Sequence, residues 1–356
     1  MQGPGPMTPF TRRLFLSLLA ALPTACAAPA RRPQDPATRP YPHRTVTIPR
    51  ATGALAGEIV SPTGTGPFPA VLLLSGSGPQ DRDETVAGHR PFLLLSDAFA
   101  RAGIASLRYD KRGVGSSAGD FATATITDFA RDGGAAFDWL ATQPEFDSDR
   151  IALLGHSEGG LTAPLAARGR NVAALVLMAG PGLPMERIIR RQTEVIAQQS
   201  GASATEIIQF DHALAEIFEV LRHAPDAVQA KPGIEAAVAD LPRQVRRNFM
   251  DMLATPWGHD AVRHDPRTVL EAFPGPVLAL FGAKDVQVDA IANAAALRAL
   301  VQRHSAFQVQ IYPGLNHLFQ PSDTGSPQDY ARIETTMAPE VITAIIHFLR
   351  QAFSLF

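Results

Sequence analysis

Gly155-His156-Ser157-Glu158-Gly159 follows the apolar run Ile151 to Leu154 and precedes the small-residue segment Gly160 to Ala167. The apolar run is typical of a buried strand, and the alanine-rich segment is typical of a helix. A G-x-S-x-G pentapeptide between a strand and a helix holds its serine on a sharp, strained turn, with the hydroxyl exposed at the edge of the sheet. Glycines flank the turn because it leaves no room for side chains there. The stretch therefore predicts Ser157 as a nucleophile, where the alternative is an ordinary glycine–serine turn.

The composition describes a folded and nearly neutral chain. Its 356 residues suffice for one large α/β domain with an insertion or for two small domains. With 46% hydrophobic and 19% charged residues, the composition allows a sizeable core. The net charge is -2 and basic residues form only short Arg pairs, so we expect no nucleic-acid partner. The single cysteine is Cys26. The chain after it therefore has no disulfide, thiolate nucleophile or cysteine-based zinc site.

Residues 1–30 resemble an export signal of the twin-arginine type. Arg12-Arg13 opens an apolar stretch, Leu14 to Leu22, which is too short to span a bilayer. Two processing routes fit: cleavage after Ala27 would release a soluble protein, and acylation of Cys26 would leave a lipoprotein. An uncleaved apolar anchor is the third alternative. We expect a signal peptide over 1–30, a flexible tether over 31–44, and an exported bacterial protein that is periplasmic or anchored to the membrane only through a lipid on Cys26.

The chain from residue 45 alternates short apolar runs with helical patterns. The predicted strands before the elbow are Val46 to Ile48, Leu55 to Ser61, Ala70 to Leu74, Ile104 to Tyr109 and Ile151 to Leu154, and Val172 to Met178 follows it. Helices are predicted over Phe92 to Ala102 and Ile126 to Leu140. This β-α-β-α order predicts a mostly parallel sheet with helices on both faces.

Residues 183–272 break that alternation. Helical patterns cover Ile207 to Arg222 and Ile234 to Leu253, and no segment has a strand pattern. Strands resume at Pro276 to Phe281 and Phe307 to Tyr312, and Pro339 to Phe353 is a closing amphipathic helix. The sequence thus predicts a core over 45–182 and 273–356, with a helical cap over 183–272 that covers the serine and sets acyl size.

A serine hydroxyl needs a base to take its proton. His317 comes directly after the last predicted strand, at the same sheet edge as Ser157. Asp285 comes just after the resumed strand and is the candidate for orienting the imidazole, with Asp289 as the fallback. The order Ser157, Asp285, His317 is the chain order of the α/β-hydrolase triad.

An oxyanion hole requires two backbone donors. One candidate is the amide of Glu158, the residue after the nucleophile. The other is the amide of Ser77 in Ser75-Gly76-Ser77-Gly78, which follows the Ala70 to Leu74 strand. The alternative is a glycine turn without a catalytic role. Glycines at 76 and 78 let the backbone approach a substrate carbonyl closely.

Four motifs carry a family resemblance. They are Ser75 to Asp83 (SGSGPQDRD), Leu107 to Ser117 (LRYDKRGVGSS), Gly155 to Gly160 (GHSEGG) and Gly314 to Phe319 (GLNHLF). Together they resemble a bacterial branch of the α/β-hydrolase superfamily that includes esterases, serine aminopeptidase-like hydrolases and dienelactone-hydrolase-like proteins. The resemblance spans about residues 45 to 350 and includes Thr255-Pro256-Trp257. It implies the fold and the triad, and it says little about substrate because the fold hosts many chemistries.

We therefore expect a serine hydrolase that cleaves a small carboxylic ester through an acyl-enzyme, without a metal or an organic cofactor. One alternative is amide hydrolysis on a short peptide, with an insertion carboxylate holding the peptide amine. Further alternatives are thioester hydrolysis and a catalytically silent scaffold. The candidate carboxylates, which also suit the solvent faces of helices, are Glu194, Glu206, Asp211 and Glu216. Asp110 and Arg112 are expected to form an ion pair that braces the loop, the alternative being substrate contact. The oligomeric state is left open.

Overall fold

An eight-stranded sheet forms the centre of the protein in a computed structural model that describes residues 31–301 and 306–355. Its strands are β1 (His43–Ile48), β2 (Leu55–Val60), β3 (Phe68–Leu74), β4 (Ala105–Tyr109), β5 (Phe146–His156), β6 (Leu175–Met178), β7 (Val277–Gly282) and β8 (Phe307–Tyr312). They lie in the order β1-β2-β4-β3-β5-β6-β7-β8. β2 runs antiparallel to both β1 and β4, and the other neighbouring pairs are parallel. The predicted mostly parallel sheet is confirmed.

Helices cover both faces of this sheet. They are α1 (Pro91–Arg101), α2 (Ile126–Ala141), α3 (Gly159–Ala167), α10 (Ala290–Val301) and α11 (Pro339–Ala352). Successive residues of a buried strand point to opposite faces, so Leu72 packs in the core beneath α2, α3 and α10 while Leu73 packs beneath α1 and α11. Burial on both faces explains why the central strands are apolar at every position.

Six helices lie between β6 and β7: α4 (Met185–Gln199), α5 (Ala204–His223), α6 (Ala227–Ala237), α7 (Arg243–Leu253), α8 (Pro256–Ala261) and α9 (Pro266–Glu271). Most of them share a separate apolar core around Phe210, Phe218 and Phe249. The single helical segment predicted over Ile234 to Leu253 is wrong. The structure divides it between α6 and α7, because Pro242 cannot continue a helix and stands directly before α7.

The residues before β1 contact the body. The Arg32 guanidinium donates to the carbonyls of Ala87 and Ala331, at 2.6 and 3.0 Å. Asp35 pairs with Arg90 at 2.5 Å, and Tyr41 is buried. These contacts contrast with the flexible tether expected over 31–44.

The predicted export signal, including Cys26, lies outside the described residues and stays a prediction. Within the ranges that are described, none of the helices has the length and apolar character needed to cross a bilayer.

Candidate active site

The pentapeptide forms the predicted sharp turn. β5 ends at His156, α3 begins at Gly159, and Ser157 between them has a φ of 54°. A left-handed conformation costs a non-glycine residue about 1–3 kcal/mol and persists only where the surroundings enforce it. Here the Ser157 amide donates to the Met178 carbonyl at 2.8 Å. A Cβ on Gly155 would lie 1.9 Å from the Gly159 carbonyl oxygen, so the turn closes only with glycine there.

Asp285 and His317 are in direct contact. The Nδ1 atom of His317 lies 2.7 Å from the Oδ2 atom of Asp285, and both side chains are buried. The other carboxylate oxygen, Oδ1, accepts the backbone amides of Gln287 and Val288 at 2.7 and 2.9 Å. The backbone therefore fixes the carboxylate through Oδ1, and Oδ2 is left to accept the hydrogen bond of the imidazole. This arrangement keeps the proton on Nδ1 and leaves the Nε2 lone pair available as a base.

Asp289, the fallback for the acid, has another role. Its Oδ1 atom accepts the amide of Ala292 at 2.8 Å, which caps the start of α10. Its Oδ2 atom lies 3.7 Å from Arg191. Of the two aspartates, it is Asp285 that the structure brings to His317.

His156 links the nucleophile's turn to His317. Its Nε2 atom donates to the His317 carbonyl at 3.0 Å, and the two rings have centroids 4.8 Å apart. The Ser157 side chain is partly exposed, and its hydroxyl makes no hydrogen bond to any residue of the described ranges. Catalytic hydrogen bonds of this kind commonly tighten only when substrate is bound. The predicted nucleophile and base thus lie at one edge of the sheet, joined through His156.

His156 also faces a buried carboxylate that the sequence did not indicate. Its Nδ1 atom lies 2.9 Å from Oε1 of Glu84, and that oxygen accepts the Gly76 amide at 2.5 Å. Both ring nitrogens of His156 therefore face oxygen atoms, an arrangement that favours the imidazolium form. Burial lowers the pKa of His156, but the Glu84 carboxylate outweighs it and the pKa is raised.

The two amides predicted for the oxyanion hole belong to adjacent segments. A Cβ on Gly76 would lie 3.2 Å from the Cβ atom of Ser157, so the loop after β3 touches the turn. Within the part of the chain that the structure describes, neither the Ser77 amide nor the Glu158 amide donates a hydrogen bond. Both donors remain available, and their role in an oxyanion hole stays a prediction.

Lys111 and Trp257 are further residues at this edge. The Nζ atom of Lys111 donates to the Gly76 carbonyl and to Oε1 of Glu158, both at 2.6 Å. The indole Nε1 of Trp257, in the insertion, donates to Oε2 of Glu158 at 2.7 Å. Sequence reasoning missed both roles. The available signals were a lysine two residues beyond a buried strand and the Thr255-Pro256-Trp257 motif.

Asp110 and Arg112 do not pair with each other, so the expected ion pair between them is wrong. Asp110 binds Arg82 at 2.7 Å, and Arg112 binds Asp132 at 2.7 Å. The side chains of Asp110 and Arg112 diverge from the loop to separate partners. Each still fixes the segment that carries Lys111.

The carboxylates considered for binding a peptide amine are all engaged locally. Glu194 pairs with Arg191 at 2.8 Å, Asp211 with Arg190 at 2.7 Å, Glu216 with His212 at 3.3 Å, and Glu206 caps α5 through Ser203 at 2.9 Å. These contacts place them on the outer surfaces of α4 and α5. In residues 31–301 and 306–355, no group of three or more His, Cys, Asp or Glu side chains is arranged to hold a metal ion.

Comparison with known proteins agrees with this architecture. Residues 53–314 match the family described as X-Pro dipeptidyl-peptidase (S15 family). The esterase EstD of Thermotoga maritima is 26% identical over 279 residues, which are 78% of this chain and 61% of that protein's length. The chain thus spans less than two thirds of this curated relative.

Two solved structures show the same fold at low sequence identity. The Pyrococcus furiosus esterase Pf2001 is 16% identical with a TM-score of 0.51, over 87% of this chain and 93% of its own. The α/β hydrolase GrgF from Penicillium sp. sh18 is 18% identical with a TM-score of 0.56, over 88% and 100%. The α/β-hydrolase resemblance and fold are confirmed.

Proposed function

The chain belongs to the X-Pro dipeptidyl-peptidase family S15. From the geometry of the site and the similarity to the esterase EstD, we propose that it hydrolyses carboxylic esters with Ser157 as the nucleophile. The family and the esterase relative support the serine hydrolase class. The observation that carries the proposal is the buried 2.7 Å pair between Asp285 and His317, which lies against the Ser157 turn.

Acylation begins when Oγ of Ser157 attacks the ester carbonyl carbon. Nε2 of His317 takes the hydroxyl proton, and Asp285 stabilises the imidazolium that results. The carbonyl π electrons move onto oxygen, and the amides of Ser77 and Glu158 donate to that oxyanion. When the tetrahedral intermediate collapses, the bond to the alkoxy group breaks and His317 gives it the proton. The alcohol leaves and the acyl group stays on Ser157.

Deacylation repeats the sequence with water. His317 removes a proton from the water as it attacks the acyl carbon, and the second tetrahedral intermediate forms in the same oxyanion hole. Collapse breaks the bond to Oγ, and the proton on His317 returns to Ser157. The products are one carboxylic acid and one alcohol, and the enzyme is regenerated.

The second candidate is release of an X-Pro dipeptide from a peptide, which the family match favours. That reaction needs a group to bind the free amine of the peptide, and a carboxylate is the usual choice. Of the two buried glutamates near Ser157, Glu158 has both oxygens bonded, to Lys111 and Trp257. Glu84 contacts His156 and the Gly76 amide through Oε1, and its Oε2 is buried without a partner among the described residues. The insertion carboxylates face outward in local pairs. These commitments favour a neutral ester over a charged peptide terminus.

Parallel assays separate these candidates. The wild-type protein is assayed on p-nitrophenyl esters of two to eight carbons and on glycyl-prolyl p-nitroanilide. We expect kcat/KM on an ester to exceed that on the anilide by at least a factor of about 10². A higher value on the anilide would reverse the order of the two functions.

Ser157→Ala tests the nucleophile itself. We expect a loss on the order of 10⁴-fold or more in kcat, and loss of labelling by a fluorophosphonate probe. Ser200→Ala, in the insertion, is the matched control and keeps both. Near-native turnover in Ser157→Ala would remove the proposed nucleophile.

We also propose that the insertion closes over Ser157 and limits acyl length. Its support is the Trp257 indole bonded to Glu158, which brings α8 beside the turn. Trp257→Ala is expected to shift the preferred ester to a longer acyl chain, and an unchanged preference would argue against this role.

Export is proposed on the leader sequence. Replacing Arg12-Arg13 by Lys-Lys should retain the protein in the cytoplasm of a bacterial host. Cys26→Ser should abolish membrane association if a lipid is attached and leave fractionation unchanged if the leader is cleaved at Ala27. Export of the Lys-Lys variant at the wild-type rate would contradict the twin-arginine route.

A further inference from the structure

Lys111 is a buried charge with two hydrogen-bond acceptors and an aromatic ring around its ammonium. Two N–H groups of its ammonium bond the Gly76 carbonyl and the Glu158 carboxylate, each at 2.6 Å. The Nζ atom also lies 4.2 Å from the centre of the Phe129 ring, where a cation is attracted to the aromatic face. Burying an ion pair is costly and is weak evidence for stability by itself. Its position beside both predicted oxyanion donors suggests another role.

The peptide unit that joins Gly76 to Ser77 carries both groups of interest. Its carbonyl accepts from Lys111, and its N–H is the Ser77 amide. A trans peptide is planar, so its carbonyl and its N–H point in opposite directions. Lys111 therefore lies on the far side of the peptide from whatever the Ser77 amide binds.

The loop is also held on both sides of this peptide. The Gly76 amide donates to Glu84 at 2.5 Å, and the backbone amide of Lys111 donates to the Gln80 carbonyl at 3.1 Å. These contacts leave the loop after β3 little freedom to rotate the 76–77 peptide. The Ser77 amide, which has no acceptor among the described residues, keeps one orientation.

We propose that Lys111 is a positioning residue of the oxyanion hole, acting through the Gly76 carbonyl on the Ser77 amide. The inference rests on the proposed ester hydrolysis. A hydrogen bond from a cation polarises the peptide and makes its N–H a stronger donor. That gain matters most when an oxyanion forms, so it lowers the barrier without tightening substrate binding.

Lys111 has a second effect on the same site. Glu158 supplies the other predicted amide, and its own carboxylate is buried next to it. A negative side chain at that place would repel a developing oxyanion. The ammonium of Lys111 and the indole of Trp257 offset that charge.

Two variants separate these effects. Lys111→Met removes the ammonium, keeps an unbranched side chain against Phe129, and leaves Glu158 without its counter-ion. The double variant Lys111→Met/Glu158→Gln removes both charges of the pair, so neither charge is left buried without its counter-ion. Lys231→Met, at an exposed lysine of α6, is the control and should match the wild type.

For Lys111→Met we expect kcat on a p-nitrophenyl ester to fall about 10²-fold while KM changes less than about threefold, as for loss of one oxyanion donor. The double variant should remain at least about tenfold reduced. Binding of a trifluoromethyl ketone, whose adduct places an oxyanion in the hole, should weaken in proportion to kcat.

The proposal is overturned if kcat of the double variant falls less than tenfold, or if its binding of the trifluoromethyl ketone is unchanged. Lys111 would then serve only as the counter-ion of Glu158. The double variant also keeps the test open if the single variant fails to fold. Failure of the ester proposal is distinct: it would show as a wild-type protein that neither turns over esters nor reacts with a fluorophosphonate at Ser157.

Discussion

Asp285→Asn is a substitution of one carboxylate oxygen by an amide nitrogen, and the structure dictates which oxygen is replaced. Oδ1 accepts two backbone amides, those of Gln287 and Val288. An amide NH₂ placed there would face two donors. The Asn oxygen must therefore stay at that position, and its NH₂ must point at Nδ1 of His317.

This orientation reverses the tautomer of His317. Nδ1 becomes the acceptor of the amide hydrogen bond, so the ring proton moves to Nε2. An Nε2 that carries a proton cannot take one from Ser157. The equivalent substitution in a serine protease triad lowers kcat about 10⁴-fold, and we expect a similar loss here. At 1.36 kcal/mol for each factor of ten, this is about 5 kcal/mol of the activation barrier.

The assay compares kcat for a p-nitrophenyl ester in wild type, Asp285→Asn and Asp289→Asn. Asp289→Asn is the matched control, because an Asn oxygen still caps α10. It should keep kcat within about twofold, and fluorophosphonate labelling should be slowed only in Asp285→Asn. If Asp285→Asn keeps more than a tenth of the wild-type kcat, or Asp289→Asn loses more, the assignment of the acid is refuted.

Three further predictions concern stability. Gly155→Ala should lower the free energy of unfolding in urea by more than about 3 kcal/mol, because the new Cβ would strike a backbone oxygen. Gly134→Ala is the control and should lower it by less than about 1 kcal/mol, because its Cβ would meet only a flexible guanidinium. Burial lowers the pKa of His156, but the Glu84 carboxylate raises it by more, so the pKa in the folded protein lies above 6.5. The contribution of this pair to the free energy of unfolding is therefore complete below pH 6.5 and is lost as the pH rises through the raised pKa. His156→Gln should flatten that decline in the free energy of unfolding, and an unaltered slope would contradict it. Thr125→Ala removes the capping box of α2 and should lower Tm by about 2–4 °C. An unchanged Tm would show that the cap does not contribute to stability.

Local sequence patterns sufficed for the succession of strands along the chain and for the elbow. A short apolar run with turn residues beside it is typical of a strand that is buried on both faces, and Ala70 to Leu74 and Pro276 to Phe281 indicated the sheet in this way. Strand ends were less well placed: β5 begins at Phe146, five residues before the apolar run, since its first half is only partly buried.

The insertion was predicted as helical, but its division was not. The predicted segment ran across Pro242, although a proline cannot continue a helix and here stands directly before α7. The ion pair expected between Asp110 and Arg112 was also predicted incorrectly. Two opposite charges two residues apart were expected to pair, and each instead reaches a partner that is distant in the chain.

The amino-acid sequence alone determined which residue types stand at the carboxyl ends of the strands, and so identified Ser157, Asp285 and His317 as the candidates. In a parallel sheet, the carboxyl ends of all strands lie at the same edge, so residues that follow different strands come close together. Only the tertiary structure decided what surrounds them. Glu84, Lys111 and Trp257 come from three separate segments, and each bonds a residue of the elbow, His156 or Glu158. A buried charged or polar group needs a partner in space, whatever the distance along the chain.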